Sequence, residues 1–227
     1  MIGSWIIFIV FALVSWLISH QLKRRFEEYS EIATSNGMSG REVAQQMLRD
    51  NGIQGVTIES VEGKLTDHYD PTTKTINLSE DVYSGRSVAA AAVAAHECGH
   101  ALQHAAAYQW LGLRSGLVPV VSFASQWMQW ILLAGILMVN TFPAILLAGI
   151  VLFAMTTLFS FITLPVEINA SHRALIWIRT SGVTNSQTHL KAEDALKWAG
   201  YTYIVAALGS LATLLYYIMI YMGVRRD

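Results

Sequence analysis

From Ser115 to Val166 the chain carries no aspartate, glutamate, lysine or arginine. A helix needs about 20 mostly apolar residues to cross a bilayer, so this stretch holds two crossings and a short turn. Backbone in hydrocarbon must satisfy its own hydrogen bonds, which makes a helical hairpin the fitting arrangement. Asn140-Thr141-Phe142-Pro143 supplies the turn: a polar pair, then a proline whose missing N–H costs nothing at the start of a helix. The expected helices are 116–139 and 143–164.

Two more apolar runs flank the hairpin. Residues 2–19 precede Lys23-Arg24-Arg25, and residues 201–222 precede Arg225-Arg226. The basic cluster follows the first run and no small-residue cleavage site comes after it, so the run reads as a retained anchor. Only 14% of residues are charged, against about a quarter in ordinary soluble domains. A net charge of −1 offers no basic field, and no nucleic-acid partner is expected. Cys98 is the single cysteine, which excludes a disulfide framework.

The expected fold is mainly α: a helical membrane protein of three to four spans with a small α+β cytoplasmic domain. Placing Lys23–Arg25 in the cytoplasm also puts residues 20–114 and 166–199 there. Every lysine and arginine except Arg225 and Arg226 is then inside, as the positive-inside rule prefers. The last helix either crosses fully or re-enters. The expected location is the cell membrane, multi-pass. Five blocks follow: an anchor (1–22), a cytoplasmic domain (23–115), the hairpin (116–165), cytoplasmic helices (166–199), and a final membrane helix with its tail (200–227).

Within the polar block, Ser39-Gly40-Arg41-Glu42 has the form of a capping box. Val43, Met47 and Leu48 follow at helical spacing until Asn51-Gly52 stops the run. Val56-Thr57-Ile58 and Thr75-Ile76-Asn77-Leu78 read as short strands, with turn chemistry between them at Asp70-Pro71-Thr72-Thr73. Thr75–Leu78 is either an edge strand open to an extended peptide or an internal strand. The alanine-rich stretch from Ser87 to about Ala107 is expected to be helical.

That stretch contains His96-Glu97-Cys98-Gly99-His100. Histidines four apart on a helix lie about 40° apart around it and about 6 Å along it, so both reach one metal ion. Glu97 stands beside them, where it can take a proton from a water molecule. The bland alternative is an amphipathic helix with incidental histidines. It would set a carboxylate among alanines at a cost, and this spacing arises by chance about once in a hundred such chains.

Cys98 points elsewhere and reads as a small buried filler. Gly99 weakens the helix and implies close packing. His104 follows His96 by eight residues, whereas the extended zincin pattern places its third histidine ten on, so it reads as a neighbour rather than a ligand. The third ligand should lie on the same side of the membrane. Glu167 is the first charge after the hairpin, which returns it to the face that Arg114 left. Glu193, Asp194, His172 and His68 are alternatives, and His20 and His189 read as solvated.

The chain resembles the YugP-like family of bacterial neutral zinc metallopeptidases. The resemblance rests on Asp67-His68-Tyr69-Asp70-Pro71, Leu78-Ser79, Ala94-Ala95-His96-Glu97-Cys98-Gly99-His100-Ala101 and Pro165-Val166-Glu167-Ile168-Asn169-Ala170-Ser171. It extends to HtpX-like and CaaX prenyl membrane peptidases, which pair HExxH with a later glutamate in an ExxAD pattern. That likeness implies Glu167 as third ligand, with Ser171 standing where those relatives have aspartate.

The expected activity is therefore that of a membrane-embedded zinc endopeptidase with one zinc ion per chain. His96, His100 and Glu167 are the expected ligands and Glu97 the general base. His68, His172 and Tyr69 are candidates for stabilising the oxyanion. Polypeptide substrates, membrane proteins among them, are implied, and a membrane-protein partner or a second copy is compatible. The rival reading is a non-catalytic scaffold or partner-binding subunit whose structural zinc has four protein ligands. A transporter fits poorly, because no span carries a charge in its interior.

Overall fold

The computed structural model describes the backbone of residues 2–224 and the side chains of residues 9–223. Among the described residues the fold is mainly helical, with one small sheet. The expected mainly α membrane architecture with a small α+β part is what the structure shows. Arg225 and Arg226, which bear on the course of the last helix, lie outside the described residues.

The chain divides into two units. One comprises Gly112–Leu164 with the outer parts of the first and last helices, α1 (Ile2–Ser30) and α7 (Ser186–Val224). It contains most of α5 (Gln109–Leu137) and the first half of α6 (Pro143–Thr180). Proline 143 opens α6 as the turn chemistry requires. A Cβ on Gly135 would sit 2.6 Å from Leu146 Cα, so α5 and α6 approach almost backbone to backbone. Thr157 and Ser210 hydroxyls share a 2.6 Å hydrogen bond between α6 and α7. Small residues and hydroxyls at helix crossings are the usual means of association in lipid. Phe123, Trp127, Trp130 and Leu137 face outward, and α5, α6 and α7 are each long and apolar enough to cross a membrane. Helix α1 is not among those three; its expected anchor, 2–19, lies partly outside the residues whose side chains are described.

The other unit, Ile18–Leu111 with Pro165–Tyr201, holds the polar chemistry. Helix α2 (Gly40–Asp50) begins in a complete capping box: Glu42 accepts from the Ser39 backbone N–H at 2.7 Å, and Ser39 Oγ accepts from the Glu42 N–H. The sheet runs β1 (Thr57–Val61), β3 (Thr75–Ser79), β2 (His68–Asp70), with β1 parallel and β2 antiparallel to β3. The Asp70–Thr73 turn thus joins β2 to β3; β2 is a strand the sequence reading passed over. Its carboxylate accepts from Thr72 N–H and Thr73 Oγ1, which tightens the turn and lowers the Asp70 pKa. Thr75–Leu78 is the internal strand of its two alternatives, and β2 is an edge.

A short helix, α3 (Glu80–Tyr83), leads to α4 (Val88–Ala105), which Ser87 caps by accepting from Ala90 N–H at 3.2 Å. Alanines 91, 92, 94 and 95 let α4 settle onto Val43, Met47, Ile76 and Leu78 in a fully buried core. Cys98 is buried there too, its thiol against the Ala44 carbonyl, and burial pushes its pKa well up. Helix α6 continues through Pro165 because Val166, Ala170, Ala174 and Ile178, one turn apart, are all buried in this unit. The end of α1 is tied to the start of α7: Tyr29 donates to Asp194 at 2.7 Å, with Arg25 3.3 Å from the same oxygen.

Candidate metal centre

Helix α4 presents His96 and His100 on one face, and α6 crosses that face at Glu167. Glu167 Oε2 lies 3.2 Å from His96 Nε2 and 3.6 Å from His100 Nε2. One ligand atom from each of the three residues falls within 4.8 Å of the others. The imidazoles meet edge to face with centroids 4.8 Å apart, so both can aim a nitrogen at a common point. Glu167 and His100 are buried and His96 is mostly so.

Gly99 permits the crossing. A Cβ there would stand 2.5 Å from the Ala170 carbonyl oxygen, so any larger residue would force α6 away. The ring nitrogens remote from Glu167 are also engaged. His96 Nδ1 is 3.0 Å from Ser171 Oγ, and His100 Nδ1 is 3.1 Å from Gln103 Oε1. Gln103 is fully buried and spends its amide on the Val166 carbonyl at 2.8 Å and on Asn169 Oδ1 at 3.0 Å. Asn169 Oδ1 also accepts from Arg173 Nε at 2.8 Å. With Gln103 Oε1 accepting from Nδ1–H, the neutral His100 ring would turn its Nε2 lone pair toward a metal ion at the centre.

Electrostatics in this cluster are strong. Burial works against a charged His100, but the Glu167 hydrogen bond, the Glu97 and Glu167 charges and the Gln103 bond outweigh it and raise its pKa. Glu97 is itself buried, with its charge acting on His100.

This donor set fits zinc. Two imidazole nitrogens and a carboxylate oxygen are its ordinary ligands, and bonds of about 2.0–2.1 Å in a tetrahedron separate donors by about 3.3 Å. The 3.2 and 3.6 Å separations match that spacing. Each histidine is also held through its second nitrogen, as metal-bound histidines almost always are.

The other candidates are placed differently. On β2, His68 is exposed, with Nδ1 2.7 Å from the Thr66 carbonyl and Nε2 3.2 Å from the Asn77 amide nitrogen. Tyr69 packs against His104, its hydroxyl 2.8 Å from Nδ1. Burial and then the Asp70 charge raise the Tyr69 pKa. His172 is exposed and lies about 140° around α6 from Glu167, away from the cluster. Asp194 serves the tether to Tyr29. The sequence reading assigns Gln103 no role and names Asn169 only within the Pro165–Ser171 motif; the one available signal for Gln103 is a long polar side chain three residues after His100.

An HExxH helix joined by a glutamate from a second helix is the arrangement of zinc metallopeptidases. The chain belongs to the family described as putative neutral zinc metallopeptidase, which it matches over residues 4–222. It is 42% identical over 214 residues to the putative membrane protease YugP of Bacillus subtilis (strain 168), covering 94% of each chain. No solved structure matches it. The family implies zinc and a polypeptide substrate, and the relative and the three apolar helices support association with a membrane.

Proposed function

We propose that this protein is a membrane-embedded zinc endopeptidase with one catalytic centre per chain. The observation that carries the reading is the meeting of Glu167 with His96 and His100, beside a buried Glu97. His96 Nε2, His100 Nε2 and a Glu167 oxygen would hold the zinc. When bound, zinc polarises a scissile carbonyl and acidifies a water molecule.

The chain's own residues do the rest. Glu97 receives the proton of the attacking water on its carboxylate and passes it to the leaving amine nitrogen. Ser171 and Gln103 hold the imidazoles in their ligating orientation. Of the oxyanion candidates Tyr69 is favoured, because its hydroxyl is anchored to His104, one turn beyond His100. His68, on the same strand, has both ring nitrogens engaged, and His172 points away. The free edge of β2 suits an extended substrate, which would add a strand by backbone hydrogen bonds. By the positive-inside rule the chain crosses the membrane several times with this centre facing the cytoplasm.

The cluster has three ligand side chains among the described residues, which favours a catalytic site over the scaffold reading, since structural zinc is closed by four. The test is Glu97→Gln in the purified full-length chain. Cleavage of a casein or quenched-peptide substrate should disappear while zinc content by mass spectrometry stays at one ion per chain. Undiminished proteolysis by this variant would overturn the role of Glu97.

A further inference from the structure

A cavity of about 530 Å³ lies in the polar unit, between residues 22–30 of α1, the loop before β2 and the first half of α4. Its apolar wall includes Leu22, Phe26, Leu65, Val82, Ala89 and Val93. The size is that of clefts which hold ligands, about 300–1,000 Å³.

Its position relates it to the metal centre. Measured around α4 from His96, Ala89 and Val93 fall at about 20° and 60°, inside the arc that runs from His96 itself past His100 (about 40°) to Glu97 (about 100°). Val93 and Ala89 precede Glu97 by one and two turns, about 6 and 12 Å. Strand β2 connects the two regions. Asp67, just before it, lines the cavity, and Tyr69, within it, bonds to His104 beyond His100. The strand thus passes along α4 from the cavity toward the far end of the histidine row. A substrate extended along that edge advances about 3.3 Å per residue, which puts its side chain about two to four positions from the scissile bond into the cavity.

The cavity's chemistry selects what enters. Its lining charges are of both signs: Lys23 and Lys64 stand with Glu27, Asp67 and Asp81, Lys64 lies 3.8 Å from Asp81, and Asp67 accepts from Ser79 N–H at 2.8 Å. The apolar wall is the larger part of the lining, and it is what an entering group would mainly meet. Leu65 is 63% exposed and held at φ +59°, a backbone conformation that large side chains rarely adopt. A leucine kept exposed and strained at the wall is a contact waiting for an apolar partner.

We infer that this cavity is the specificity subsite of the proposed peptidase, taking a large apolar side chain of an extended polypeptide about two to four residues from the cleaved bond. The inference rests on the peptidase reading for its occupant, and its test separates the two.

Full-length protein in nanodiscs is offered Gly/Ser decapeptides containing a single Leu or Phe, and analogues with Ser at that position. Binding is read by fluorescence anisotropy on the Glu97→Gln variant and cleavage on the zinc-loaded wild type. The apolar peptides should bind, and be cut, at least about tenfold better than the Ser analogues. Leu65→Asp and Val93→Phe should each erase that preference while leaving the Ser analogues within about threefold. Cleavage without apolar preference overturns the subsite alone. Apolar-selective binding, lost in Leu65→Asp, with no cleavage by wild type, overturns the peptidase reading and leaves the cavity a peptide site. Unchanged peptide binding in both variants, with loss of a fluorescent lysophospholipid instead, overturns the assignment in favour of a lipid.

Discussion

Gly99 and Ala170 meet at a distance that admits no side chain: a Cβ on residue 99 would lie 2.5 Å from the Ala170 carbonyl oxygen. This contact sets the separation of α4 and α6, and with it the 3.2 Å between His96 and Glu167. Replacing glycine by alanine inside a helix normally stabilises it by about 1 kcal/mol. Gly99→Ala should do the opposite, because overpacking costs about 1–3 kcal/mol and displaces Glu167. A lowered melting temperature together with weakened zinc binding is the expected result. A more stable protein with unchanged zinc affinity would show that the helices are not held apart at this point.

Ser171 and Gln103 hold the imidazoles from behind, at 3.0 and 3.1 Å. Removing such outer hydrogen bonds to metal ligands typically lowers metal affinity about 10–100-fold. Ser171→Ala and Gln103→Leu should each fall in that range by competition with a chelating dye. Ser171→Asp should keep tight binding, since a carboxylate accepts from Nδ1–H at least as well.

Zinc should stabilise the folded chain, because a ligand bound only by the native state adds about 2.7 kcal/mol at a free concentration of 100 Kd. Chelation should therefore lower the melting temperature and abolish proteolysis, and added zinc should restore both. In Glu167→Ala the zinc-dependent shift should vanish; in Glu97→Gln it should persist. Loss of the shift in both would place Glu97 among the ligands instead.

The capping box gives α2 an acid-sensitive element. The Ser39 backbone N–H, followed by the Ser39 side chain, holds the Glu42 carboxyl below its ordinary value of 4.5. A carboxyl with a depressed folded pKa contributes stability that is fully present above 4.5 and is lost as pH falls through the lower folded value. Melting temperatures followed from about pH 6 to about pH 3 should thus decline less steeply in Glu42→Gln than in wild type. Ser39→Ala should cost about 1 kcal/mol at neutral pH by loss of the cap.

Much of the architecture was legible because it depends on near neighbours in the chain. The charge-free stretch reports its solvent directly, and Pro143 and Ser39 begin helices through local backbone chemistry. The full extent of α6 was not legible. Pro165 reads as a boundary, yet the helix runs on to Thr180, since burial of Val166, Ala170, Ala174 and Ile178 outweighs one missing hydrogen bond. Strand β2 was missed for a similar reason: three residues, His68–Asp70, carry too short a pattern to be read without their partner β3.

By itself the sequence determined that a charge-free pair of helices needs a bilayer and that His96, Glu97 and His100 share one helical face, because composition and a 3.6-residue period act locally. Only the tertiary structure decided which carboxylate meets those histidines and which hydrogen bonds orient them. It also decided that Thr75–Ser79 is the central strand and that the other two lie at the edges of the sheet. Those choices depend on how closely two helices can approach where residues 71 apart in the chain meet, and that distance is set by a missing side chain at Gly99 packed against the backbone of Ala170.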